Sequence, residues 1–372
     1  MVKIFVDVYL AYNLGDDLFI DILAKEFPNS EFTLNFVGKS YDEFIKKYNN
    51  LSRRRYNLLD KISQKLKIKD TLYNYDKIAK EHDALIFIGG SIFREEDYYK
   101  TLLQDRLKMV QAFKKNNKKV FVLGANFGPI KTKNFVDEYR EFFSLCDDVC
   151  FRDRYSYEIF KDMNNVRYES DIVFQLDVNE KYGEGEDIIG FSIIEPNHKA
   201  GLADYRNKYI DSNIRCIKSF IDNGNKCCLM SFCKNEGDLA IINEIINKLE
   251  DNYKKKISMF EYNGDIEKAI REISRFKAFI AARFHANIIG LLLNIHIIPI
   301  IYSDKTSNML KDINFSGTVI EIKDIDKLNT YNILVDNKIK YDLKYEKTSS
   351  KRQFKELKKF ILSEQSCLEN RI

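Results

Sequence analysis

Apolar positions along the chain come in short runs, and between the runs they recur every third or fourth residue. That is the pattern of strands alternating with amphipathic helices. The first run is Val2-Lys3-Ile4-Phe5-Val6-Asp7-Val8, and Ile20, Leu23, Ala24 and Phe27 repeat at helical spacing behind it. Further strands are expected at 31–37, 83–88, 119–123, 149–151, 188–194, 227–231, 257–260, 277–282 and 297–302. Helices are expected at 41–48, 97–115, 203–222, 237–249 and 266–274, with others opening at 288 and after Ser303-Asp304-Lys305. The run Ala84-Leu85-Ile86-Phe87-Ile88 is apolar throughout, as in the middle of a parallel sheet covered on both faces. Strand-plus-helix units on both sides of a polar, Gly-bearing interval at 179–186 predict an α/β chain of two doubly wound Rossmann-like domains. The expected boundaries are 1–178 for the first domain and 187–330 for the second. A Lys-rich helix within 340–372 carries Phe354, Leu357, Phe360 and Ile361 as an apolar stripe for packing back on the first domain.

Length agrees with that division, since 372 residues exceed one ordinary core. A hydrophobic share of 45% beside 31% charged residues is globular, and a net charge of +4 falls short of a nucleic-acid binder's footprint. Seven cysteines show no Cys-x-x-Cys pair with matching histidines, so free buried thiols are expected and no metal. The chain opens directly on a strand, and no apolar run nears the roughly 18 residues of a membrane span. The expected location is therefore cytoplasmic. The basic interval from Arg53 to Lys69 leaves open a peripheral contact with an anionic inner membrane face, against the plainer reading of a solvated helix face.

Candidate chemistry gathers at strand ends, where open α/β sheets bind ligands. The run 277–282 delivers Arg283-Phe284-His285, and Lys305 follows the next strand. A histidine ordinarily titrates near pH 6.5, which suits proton traffic near neutrality. Arg283 and Arg152 offer planar forks for carboxylate or phosphate, whereas Lys305 is a compact charge. Arg152 has an alternative as a structural ion pair with Asp153 or Asp171, and His285 as the capping residue of its own helix. Gly89 and Gly90 end the fully apolar strand and permit close backbone approach to a ligand. Asp16 and Asp17 are read first as caps of the helix behind Gly15 and secondly as partners of an acceptor's hydroxyls. Asp16, Asp153 and Glu195 are the candidate bases.

Gly15-Asp16-Asp17, Ile88-Gly89-Gly90, Gly124-Ala125-Asn126-Phe127-Gly128-Pro129, Phe151-Arg152-Asp153 with Ser156, Ser170-Asp171, and Arg283-Phe284-His285 followed by Tyr302-Ser303-Asp304-Lys305 resemble, in order and spacing, the polysaccharide pyruvyl transferase family. The resemblance covers about residues 1–310. It implies an architecture similar to that of the B-type glycosyltransferases, with the first domain on the acceptor side and the second on the donor side. It also implies transfer of a pyruvyl group from phosphoenolpyruvate to a sugar of a surface polysaccharide or its lipid-linked precursor, as a cyclic ketal, without a cofactor. Under that resemblance His285, Arg152 and Lys305 are the catalytic positions, and Arg283, Asp153, Asp16, Asp17, Gly89, Gly90 and Asn126 bind substrate. Ser91 stands where the family often has a third glycine, and the basic interval maps onto no family motif. The runner-up is a nucleotide-sugar glycosyltransferase of the same plan, with Arg283 and Lys305 on a diphosphate. A non-catalytic solute binder is a third reading.

Overall fold

The structure is a computed structural model, and it describes residues 1–55, 74–178, 187–328 and 340–369. The 179–186 interval and most of the basic interval lie outside the described residues. Of the latter, Arg53 pairs with Asp42 at 2.5 Å, and Arg54 donates to Asn35 Oδ1 at 2.7 Å. No described helix is long and apolar enough to cross a membrane.

The chain divides into two compact units. Unit 1 comprises Met1–Leu10, Phe19–Ile172 and Thr348–Ile372. Its strands are β1 (Val2–Asp7), β2 (Ser30–Leu34), β3 (Leu51–Arg53), β4 (Ala84–Ile88), β5 (Lys119–Ala125), β6 (Asp148–Phe151) and β7 (Val166–Tyr168). They form one parallel sheet in the order β3-β2-β1-β4-β5-β6-β7. Every residue of β4 is buried, as its unbroken apolar run requires of a central strand. The order reverses between β1 and β4, which places the sheet's switch point beside Gly89 and Gly90.

Unit 2 comprises Ala11–Leu18 and Val173–Lys347. Its strands are β8 (Ile188–Ile193), β9 (Lys226–Ser231), β10 (Ile257–Glu261), β11 (Ala278–Ala281), β12 (His296–Ile301) and β13 (Ile320–Glu321), parallel in the order β10-β9-β8-β11-β12-β13. Here the switch point lies between β8 and β11, and β11 ends at Ala281, two residues before Arg283. The sequence puts residues 11–18 in the first domain, but their contacts group them with the second. The stretch Ile172–Gln175 is a 3-10 helix.

The C-terminal helix Lys355–Glu369 and the turn Arg352–Phe354 before it belong to unit 1. Phe354, Leu357 and Ile361 are buried, and Phe354 meets Phe27 edge-on at 5.6 Å between ring centroids. Gln353 acts as a polar rivet. Its Oε1 accepts from Gly124 N at 3.0 Å, and its Nε2 donates to the carbonyls of Phe151, Glu169 and Ser170 at 3.2, 2.8 and 3.2 Å. Truncating it strands buried backbone groups, so we expect Gln353→Ala to lower the urea-unfolding free energy by about 1–3 kcal/mol. A change below a few tenths would show that the tail does not brace the sheet ends.

Candidate active site

Within unit 1 the ends of β4, β5 and β6 converge on Arg152. Its Nη1 donates to Asp171 Oδ2 at 2.9 Å and its Nη2 to Asn126 Oδ1 at 2.7 Å, which also accepts from Ser91 Oγ at 3.1 Å. Both side chains of the Arg152–Asp171 pair are almost fully buried. A Cβ on Gly90 would fall 2.3 Å from Nη1 of Arg152, so this glycine makes room for the guanidinium itself. Gly89 has φ 146°, a backbone region that favours glycine. Asp153 points elsewhere: its Oδ1 accepts from Ser156 N at 2.7 Å and caps the helix Arg154–Phe160. Burial pushes its carboxyl up, against the pull of the Ser156 hydrogen bonds and Arg152. The structure thus brings Arg152, Asn126 and Gly90 together, turns Asp153 into a cap, and gives Arg152 the partner Asp171.

Within unit 2 the turn after β11 is over-determined. Arg283 N donates to Ser192 Oγ at the end of β8, 2.9 Å away. Asn287 Nδ2 donates to the carbonyls of Ala281 and Arg283 at 3.2 and 3.0 Å, which fixes the start of the helix Phe284–Leu292. His285 is half-buried in that first turn. Its ring meets the Phe284 ring edge-on at 4.9 Å. Lys305, in the first turn of the helix Asp304–Asp312, places Nζ 5.9 Å from the same Phe284 ring and 6.0 Å from that of Tyr302. The histidine and the ammonium group thus both approach the Phe284 ring.

Gly15 supplies the other side of His285. A Cβ there would lie 1.8 Å from His285 Nδ1, so the imidazole rests on the backbone of the first turn of the helix Leu14–Glu26. That turn is capped by Asn13, whose Oδ1 accepts from Gly15 N at 3.0 Å. The acids do other things: Asp17 is fully buried and accepts from Tyr262 Oη at 2.7 Å, while Asp16 is half-buried in the first turn.

The fork expected of Arg283 as a ligand donor is occupied from within the protein. Its Nε donates to Asp238 Oδ2 at 3.0 Å, its Nη2 to Asp238 Oδ1, and its Nη1 to Glu236 Oε2 at 2.6 Å. Burial opposes its charge, yet the two carboxylates hold it well above its ordinary pKa. Burial likewise pushes the Glu236 carboxyl up, but Arg283 and Lys199 outweigh it and hold Glu236 well below the usual carboxylate range. Asp238 is pushed up by burial against the pull of the same guanidinium. Glu195, a candidate base, is bound by Arg206 at 2.8 and 3.1 Å and by Asn197 N at 3.0 Å. Asn13, Glu236 and Asp238 escape sequence reasoning: they carry no motif of their own, although the capping pattern of Asn13 ahead of a helix was there to be read.

Among solved structures the chain is similar to Anabaena HepE in complex with UDP-glucose, with TM-score 0.61, 10% identity, and coverage of 98% of this chain and 100% of that one. Staphylococcus aureus MnaA with UDP gives TM-score 0.58, 11% identity and 97% coverage of both chains. Methanocaldococcus jannaschii UDP-GlcNAc 2-epimerase, in complex with UDP-GlcNAc and UDP, gives 0.57 at 11% identity, covering 96% of this chain and 99% of that one. At such identities the likeness is one of fold, two doubly wound units similar to the B-type glycosyltransferase architecture. Comparison with curated proteins finds no match. The family profile for polysaccharide pyruvyl transferase matches residues 13–304, from the Asn13 cap through the Arg283-Phe284-His285 turn, and the chain belongs to that family.

Proposed function

We propose that this protein transfers a pyruvyl group from phosphoenolpyruvate to a polysaccharide sugar or its lipid-linked precursor, forming a cyclic ketal and releasing phosphate. The observation that supports this best is the setting of His285. It is half-buried at a strand end, seated on Gly15, and shares the Phe284 ring with the ammonium of Lys305.

The reaction needs a proton on the methylene carbon of the enol phosphate, two carbon–oxygen bonds to sugar hydroxyls, and departure of phosphate. Of the two hydroxyl protons, one ends on the new methyl group and the other leaves with phosphate. His285 is assigned the proton transfer, as general acid toward the methylene carbon or base toward a hydroxyl. Lys305 is assigned to the anionic charge of the donor, where a compact ammonium group suits a departing phosphate. In unit 1 Arg152, held by Asp171 and Asn126, is assigned to the binding of an anionic substrate group. Gly89, Gly90 and Asn126 are assigned to substrate binding beside Arg152, and Asp16 is the remaining candidate base. Arg283 acts through its placement of the turn rather than by touching substrate. The donor needs no cofactor under this assignment.

Phosphate release from phosphoenolpyruvate, scanned over lipid-linked and nucleotide-linked sugars, tests the reading. We expect release that depends on one acceptor class and a product heavier than the acceptor by a pyruvyl ketal. Saturable nucleoside diphosphate binding with no phosphate release under any acceptor would replace it with a nucleotide-sugar glycosyltransferase.

A further inference from the structure

We infer that Glu236 and Asn13 are positioning residues for His285, linked through one hydrogen bond that ties both supports of the imidazole together. The inference rests on the pyruvyl-transfer reading only for its kinetic arm. Glu236 sits five residues past Ser231, the last buried position of β9, and uses its two carboxylate oxygens differently. Oε2 accepts from Arg283 Nη1 at 2.6 Å and from Lys199 Nζ at 2.5 Å, while Oε1 accepts from Asn13 Nδ2 at 3.3 Å. Asn13 in turn spends its Oδ1 on Gly15 N at 3.0 Å, and Gly15 carries the imidazole on its Cα.

The links close a ring: His285 is two residues from Arg283, Arg283 binds Glu236, Glu236 binds Asn13, Asn13 caps Gly15, and Gly15 abuts His285. One arm fixes the backbone that bears the histidine, and the other fixes the floor beneath its ring. Neighbouring bonds hold the floor in place independently of Glu236: Leu14 N donates to Phe232 O at 3.1 Å and Asn235 Nδ2 to Ala11 O at 3.2 Å. The Glu236–Asn13 bond therefore sets the register of the two arms rather than the docking of the segment. A buried network of this kind restricts its members to one arrangement. Catalytic geometry is sensitive to displacements near 1 Å, at a cost of about 10²-fold.

The polarity of this bond can be reversed without changing the charge of the pair. Asn13→Asp keeps an acceptor for Gly15 N but sets a carboxylate against Glu236, and Glu236→Gln alone weakens the hold on Arg283 and Lys199. Combined, the new amide nitrogen donates to the new carboxylate while the amide oxygen still faces Arg283 and Lys199. Full-length protein labelled with ¹⁵N-histidine has only four imidazoles, and His285→Gln assigns the relevant one. We expect each single variant to move or broaden the His285 ring signals and to lower turnover by about 10²-fold, with KM for phosphoenolpyruvate changed by no more than about twofold. The double variant is expected to restore the ring signals and most of the turnover. Asn13→Ala, which adds no charge, replaces Asn13→Asp should that variant fail to fold.

His285 signals unchanged in the single variants would overturn the inference. So would a double variant that regains the wild-type unfolding midpoint but not the ring signals, because the bond would then be structural only. Should the wild type release no phosphate from phosphoenolpyruvate, the pyruvyl reading fails, and the ring signals still decide the positioning claim by themselves.

Discussion

His285→Gln is expected to lower acceptor-dependent phosphate release by about 10²–10⁴-fold, the range general acid–base catalysis supplies, with no change in the unfolding midpoint. Glutamine is chosen because it fills space beside Gly15, where the imidazole now leaves no room even for a methyl group. The fold of the turn does not depend on the ring: Arg283 N on Ser192 Oγ and Asn287 on two carbonyls hold it. The loss should therefore fall on kcat, with KM for phosphoenolpyruvate nearly constant, as for a group whose contribution appears only in the transition state. A rise in KM at constant kcat would make His285 a binding residue instead. Turnover within about tenfold of wild type would remove it from the chemistry and shift the search to Asp16.

The parts of the fold that were legible in the sequence are the ones decided by period and unbroken apolarity. β4 and β11 sit in sheet interiors, buried on both faces, so Ala84–Ile88 and Ala278–Ala281 could hardly be anything but strands. Edge strands are another matter. β3, β7 and β13 span Leu51–Arg53, Val166–Tyr168 and Ile320–Glu321, too few positions to express a period of two. The helix Lys133–Ser144 also went unread, although Thr132 caps it at Phe135 N, 3.3 Å away.

The site divides in the same way. Its charged residues at strand ends were visible, because a charge directly after an apolar run points to a sheet mouth. What each charge touches was not. Arg283 and Asp238 are 45 residues apart, and no local pattern announces their bidentate pair. Gly15 reads as a turn glycine and Gly90 as one that admits a ligand to the backbone, whereas their Cα atoms make space for His285 Nδ1 and Arg152 Nη1. Such close approaches depend on tertiary placement, which leaves only the word glycine in the sequence.

The largest effect on stability is expected at Arg283. Its guanidinium neutralises Asp238, which is fully buried, and Glu236, which is largely so. Arg283→Met keeps the bulk and removes the charge, leaving the buried Asp238 carboxylate without its counter-ion and Glu236 with Lys199 alone, at a cost of about 3–5 kcal/mol by urea unfolding. The sign of the pH dependence follows from Glu236. Its pKa in the folded protein lies below the ordinary 4.5, so its contribution is present above that value and is lost as the pH falls through the folded pKa. Without Arg283 that depression weakens, and the stability of the variant should rise less steeply between acid and pH 5 than that of the wild type. Asp238→Asn in the same chain removes the worst of the stranded charge and should return part of the loss, since a buried polar pair costs less than a lone buried ion. A variant Arg283→Met as stable as wild type, with an unchanged acid limb, would mean that the carboxylates find other partners, and that the guanidinium is available to an anionic substrate after all.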